Sequence, residues 1–180
     1  PGNAVTLTDS MNKWGTASET TWYIATGPVT VSDRVSVSGD VRLILADGCT
    51  LSANKGIGVS PDQSLTVYCQ KGKTGKLNST ATVLNDAGIG GSGNSSNGNI
   101  TTNGGNVTAY GATYGAGIGG AYKGSGHNIV INGGIVTASG GESGAGIGGG
   151  YAGRAENISI SGGRVTAAGG KYATGIGCGN

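Results

Sequence analysis

The sequence predicts an all-β fold, a right-handed parallel β-helix with about 29 residues and three short strands per coil. Three observations predict it. One apolar position recurs at a fixed interval, because Ile89, Ile118, Ile147 and Ile176 stand 29 residues apart. Each interval holds three short runs of β-branched or aliphatic residues, separated by glycine. The composition is rich in glycine and poor in charge, with 40 Gly, 3 Pro and 11% charged residues in 180. That glycine share is about three times the usual one, without the every-third-residue period of collagen. Disordered chains carry more charge or more proline.

Each unit reads in the same order. Asn99-Ile100, Asn128-Ile129 and Asn157-Ile158 open the first run. The pairs Gly104-Gly105, Gly133-Gly134 and Gly162-Gly163 mark a corner. Val107-Thr108-Ala109, Val136-Thr137-Ala138 and Val165-Thr166-Ala167 form the second run. The phrase GAGIGG, at 115–120 and again at 144–149, carries the third. A unit this short cannot bury its apolar face alone, whereas stacked copies can. Helical solenoids need longer amphipathic runs, leucine-rich repeats need several leucines, and a propeller blade needs about 40 residues. Stacked about 4.8 Å apart, equivalent residues form ladders along the axis. Alternation turns Ile100, Val107, Ala109 and Ile118 inward, and Thr108, Thr137 and Thr166 outward. Asn99, Asn128 and Asn157 are expected to align as a corner amide ladder.

The organisation follows. Residues 91–180 hold the regular coils and residues 21–90 looser ones. In the looser part Leu43, Leu45, Leu65 and Val67 read as inward, and Leu51 and Leu77 continue the valine ladder. Ile57 continues the isoleucine ladder after a three-residue insertion. Residues 1–20, which contain Trp14, lack the repeat and read as an N-terminal cap or linker, since an open stack would expose bare strand edges. The sequence stops in mid-coil at GIGCGN. Further chain, or end-to-end self-association of the C-terminal coil, is expected to cover that end.

Cys49 and Cys69 fall at the same corner of successive coils, a spacing compatible with a disulfide, with two buried thiols as the alternative. Cys178 stands apart. The single histidine, His127, is remote from Cys49 and Cys69 along the solenoid, so no metal site is expected.

The remaining chemistry is sparse. The net charge is +2, without a basic patch, and KGKTGK at 71–76 reads as a solvated turn, so nucleic-acid binding has no support. No apolar run is long enough to cross a bilayer. Asp40, Asp47, Asp62 and Asp86 adjoin turn residues. Glu142 and Glu156 occupy different places in the unit, one coil from Lys171 and His127 respectively, where surface ion pairs are expected. Neither a carboxylate pair nor a nucleophile–base pair can be assembled, and no catalytic residue is assigned. GAGIGG resembles a dinucleotide-binding GxGxxG, but no helix follows it, so no cofactor is expected.

Binding is the chemistry left. Tyr122 and Tyr151 are equivalent in adjacent units. Tyr114 and Tyr172 share another position with Ser143 between them, and Tyr110 has no aromatic equivalent. Tyrosines beside a glycine-rich corner can stack on sugar rings, with Asn and Thr hydrogen-bonding. The alternative is that they lie over small residues as a surface cover. The threonine file is too short for an ice-binding face.

The stretch VRLILADGCTLSANKGIGV and the GGxVTAxGG…GAGIGGG units resemble repeat regions of large secreted or cell-wall-attached proteins of Gram-positive bacteria. Those regions are often labelled carbohydrate-binding or adhesin-like. The resemblance covers residues 22–180. It implies an extracellular, modular β-helix, secreted or at the cell surface, whose partner is a polysaccharide or a host surface glycan. It carries no catalytic residues. The functions in view are a surface binding module, then a passive stalk or spacer, then a fragment of a polysaccharide-acting enzyme.

Overall fold

The computed structural model describes residues 4–180; residues 1–3, part of the stretch read as a cap or linker, lie outside the described residues. The chain winds as an all-β right-handed parallel β-helix. A partial first pass holds β1 (Val5–Thr6) and β2 (Lys13–Trp14). The irregular coils follow as β3 (Thr20–Ala25), β4 (Pro28–Val31) and β5 (Val35–Val37), then β6 (Asp40–Leu45), β7 (Thr50–Ala53) and β8 (Ile57–Gly58), then β9 (Ser64–Cys69), β10 (Lys76–Thr80) and β11 (Ile89–Gly90). The regular coils are β12 (Asn99–Thr102), β13 (Asn106–Tyr110) and β14 (Ile118–Gly119), then β15 (Gly126–Ile131), β16 (Ile135–Ser139) and β17 (Ile147–Gly148), then β18 (Ala155–Ile160), β19 (Arg164–Ala168) and β20 (Ile176–Gly177).

Corresponding strands pair in parallel and build three faces. The first runs β1-β3-β6-β9-β12-β15-β18, the second β4-β7-β10-β13-β16-β19, the third β2-β5-β8-β11-β14-β17-β20. The registers are the ladders that the period predicts. Leu65, Ile100, Ile129 and Ile158 share one. Leu51, Leu77, Val107, Val136 and Val165 share the next. Ile57, Ile89, Ile118, Ile147 and Ile176 share the third. All but the last coil's members are buried, forming a single aliphatic column. Ile158 and Val165 are only half-buried, and Ile160 and Ile176 are exposed, because no described strand stacks beyond β18, β19 and β20.

The glycine phrase has a steric cause. Gly119 has φ 140° and Gly148 φ 138°. A Cβ on Gly119 would lie 2.0 Å from the Gly148 carbonyl oxygen, and one on Gly148 would lie 1.9 Å from that of Gly177. Only glycine lets successive Ile-Gly rungs pair this closely.

Residues Val5 to Trp14 join the stack rather than standing apart from it. β1 pairs with β3 and β2 with β5. Trp14 is fully buried at the N-terminal end of the column, its Nε1 donating to the Met11 carbonyl at 2.9 Å. The Gly15 amide donates to the Tyr23 hydroxyl at 2.8 Å, which brings Tyr23 beside Trp14.

The amide ladder forms as expected. Asn157 Nδ2 donates to Asn128 Oδ1 at 3.3 Å, and Asn128 Nδ2 to Asn99 Oδ1 at 3.1 Å. A second file was not anticipated: Ser161 Oγ donates to Asn132 Oδ1 at 2.8 Å, and Asn132 Nδ2 to Asn103 Oδ1 at 2.9 Å.

Cys49 and Cys69, read from the sequence as a possible disulfide, are both free thiols here, as is Cys178. Cys49 is buried at the corner before β7. The Cys69 sulfur instead lies against Gly104, in the coil on the side away from Cys49.

Candidate functional site

From β8 to β20 the third face is only an Ile-Gly strand in each coil. Its isoleucine points inward, so the outward position is glycine and the face itself carries no outward side chain. The turns flanking it supply the cover. Tyr114 precedes β14, and Tyr122 and Tyr151 follow β14 and β17. Backbone bonds between coils position all three: the Tyr114 amide donates to the Leu84 carbonyl at 3.0 Å, Tyr122 to Asn85 at 2.9 Å, and Tyr151 to Tyr114 at 2.8 Å. The residue after each stacked tyrosine is left-handed, Lys123 at φ 57° and Ala152 at φ 54°. These two non-glycine turns are uncommon conformations that repeat at the same place in successive coils.

The three rings converge. Tyr122 and Tyr151 stack with centroids 5.4 Å apart and planes 3° from parallel. Tyr114 tilts against both, at 5.4 Å and 57° to Tyr122 and at 5.6 Å and 59° to Tyr151. With Asn85 they line a cleft of about 310 Å³. Lys123 Nζ lies 5.1 Å from the Tyr122 ring centroid, on the rim. The lining offers aromatic surface and an amide, and no carboxylate.

Of the five tyrosines singled out from the sequence, the structure gathers Tyr114, Tyr122 and Tyr151. Tyr110 and Tyr172 are exposed and stand outside the cluster. Tyr172 is one coil beyond Ser143, and Lys171 Nζ packs over its ring at 4.8 Å. Asn85 lies outside the aromatic pattern that marks the other three residues. It stands 29 residues before Tyr114, so the same ruler locates it.

Beneath the cleft lies a buried ion pair. Arg34 Nε approaches Asp86 Oδ2 at 3.4 Å, with side-chain exposures of 17% and 6%. The Arg34 guanidinium also donates to Ser92 Oγ at 2.8 Å and to the carbonyls of Lys55, Ala87 and Gly91 at 3.0, 3.1 and 2.9 Å. Burial pulls the Arg34 pKa below its ordinary value, while the Asp86 charge opposes the shift. Asp86 Oδ1 accepts from the Gly93 amide at 2.8 Å. The pair thus clamps the loop whose Leu84 and Asn85 carbonyls hold the tyrosines.

Among the described residues the other ion pairs are Asp40–Arg42 and Asp33–Lys55. The expected Glu142–Lys171 and Glu156–His127 pairs do not form. His127 and Glu156 are register partners, and Lys171 packs on Tyr172 instead.

Residues 100–122, 129–151 and 158–180 match the family model described as Beta helix repeat. The regular coils are therefore similar to the beta helix repeat. The matched segments end at Tyr122, Tyr151 and Asn180, so the stacked rings stand at the last position of the first two segments. No curated protein and no solved structure matches the chain. No helix among the described residues is long and apolar enough to cross a membrane.

Proposed function

We propose that this β-helix is a secreted or cell-surface binding module that engages glycans or a host surface through its third face. The observation that carries the reading is the convergence of Tyr114, Tyr122 and Tyr151 with Asn85 around one cleft. Aromatic surface takes the C–H face of a sugar, and the amide and lysine at the rim take its hydroxyls. The resemblance to secreted and wall-attached repeat regions supports the location. Glycan-array screening tests it. Retention of specific glycans that disappears in Tyr122→Ala/Tyr151→Ala supports the module, and absence of binding to any glycan or host protein overturns it.

A passive stalk is the second reading. Its support is the mutual stacking of Tyr122 and Tyr151, which occupies a face of each ring, and the unbroken pairing along all three sheets.

A further inference from the structure

A second aromatic cluster lies on the outward side of the first face, in the irregular coils. β3, β6 and β9 pair in register, so Trp22 stands beside Arg42, and Ile44 beside Tyr68. The Trp22 and Tyr68 rings reach across the intervening strand and stack, with centroids 5.4 Å apart and planes at 29°. The Arg42 guanidinium lies 5.3 Å from the Trp22 ring centroid.

Asp40 holds that guanidinium through one oxygen. Its Oδ2 accepts from Arg42 Nε at 3.1 Å and from Thr20 Oγ1 at 3.0 Å, and lies 3.1 Å from Arg42 Nη2. Among the described residues nothing bonds Asp40 Oδ1 or Arg42 Nη1. The aromatic wall therefore ends in an acceptor and a donor side by side, on half-exposed side chains. Asp40 also lines a cleft of about 380 Å³ with Ser18, Glu19, Thr20, Asp62 and Gln63. Gln63 Oε1 accepts from the Gly39 amide, which leaves the Gln63 amide nitrogen to a ligand.

We propose that this face is a binding site for a neutral pyranoside of a polysaccharide. A pyranose has an apolar C–H face and a rim of hydroxyls. The C–H face packs on the ring surface that the Trp22–Tyr68 stack and Arg42 leave open. Of two adjacent hydroxyls, one donates to Asp40 Oδ1 and the other accepts from Arg42 Nη1. Charge selects an uncharged sugar. Glu19, Asp40 and Asp62 line the cleft, and the Arg42 charge is already matched by Asp40, so a uronate meets a negative field. The site is built on a different sheet from the tyrosine cleft and stands or falls separately from it.

The test is calorimetric titration with cello-, manno- and galacto-oligosaccharides, and with oligogalacturonate, while tryptophan emission is followed. Trp14 is fully buried, so Trp22 is the responsive reporter. At least one uncharged series binds and shifts the emission, and oligogalacturonate does not. Trp22→Ala and Tyr68→Ala each weaken that binding about three- to tenfold, the loss of one aromatic contact. Thermal melts check that each variant is folded, and Tyr68→Ala serves if Trp22→Ala is not. The titrations are repeated in the Tyr122→Ala/Tyr151→Ala background, which disables the third-face cleft, and the Trp22 emission shift persists there. The proposal is overturned if no uncharged series binds, if only the acidic series binds, or if binding in the Tyr122→Ala/Tyr151→Ala background survives both Trp22→Ala and Tyr68→Ala. Binding that is lost in the Tyr122→Ala/Tyr151→Ala protein but kept in Trp22→Ala also overturns it, and assigns the ligand to the third face.

Discussion

The Tyr151 ring lies over the Tyr122 ring, 5.4 Å away and 3° from parallel, one coil further along the axis. Offset aromatic pairs contribute about 0.5–1.5 kcal/mol beyond their buried area. A double-mutant cycle on Tyr122→Ala and Tyr151→Ala is therefore expected to give a coupling energy of about that size in denaturant melts. Additive losses would mean that the rings do not interact in solution.

The clamp beneath them is worth more. Removing one partner of a buried ion pair strands the other charge, and Asp86→Ala is expected to cost about 3 kcal/mol. The Ala112, Tyr114 and Tyr122 amides donate to the Asp86, Leu84 and Asn85 carbonyls, so their hydrogen exchange speeds up with the same substitution. Exchange at the β16 amides stays near the wild-type rate. Uniform acceleration across the chain would show that Asp86 does not act locally.

Backbone geometry predicts opposite outcomes at two nearby positions. Gly119→Ala drives a Cβ into the Gly148 carbonyl, and the expected cost exceeds about 4 kcal/mol or abolishes folding. Ala152 is left-handed at φ 54°, a conformation costing roughly 1–2 kcal/mol for an L-residue, so Ala152→Gly is expected to stabilise by about 0.5–1 kcal/mol after the added unfolded-state entropy. Thermal melts of the two proteins decide both.

Burial pushes the Cys49 thiol above its ordinary pKa, against the pull of its backbone contacts with Lys76 and Ala46, and Asp47 adds to the rise. As pH rises, the unfolded thiol loses its proton first while the native one keeps it. Above the ordinary thiol pKa the unfolded state binds fewer protons, and stability falls with a slope of up to about 1.4 kcal/mol per pH unit. Urea melts from neutral to alkaline pH should show this loss in wild type and a flatter curve in Cys49→Ala. In native protein a thiol reagent is expected to label exposed Cys178 first and Cys49 last.

The ladders were legible because identical spacing forces identical placement. Ile118 can pair only with Ile89 and Ile147 when each coil has the same length. Asn85 was legible in principle by the same ruler. Trp22 and Tyr68 were not, because their coils differ in length and the rings meet across an intervening strand. The Arg34–Asp86 pair follows no period at all.

By itself the sequence determined a stack: its period, its inward residues and the glycines that let rungs approach. Those follow from sterics and burial, which act on every coil alike. The tertiary structure alone decided which outward side chains meet. Tyr114, Tyr122 and Tyr151 form one cleft, Tyr110 and Tyr172 stay outside it, and the thiols of Cys49 and Cys69 remain free. Outward contacts depend on turn geometry and on how far a flexible side chain leans, and a repeat count encodes neither.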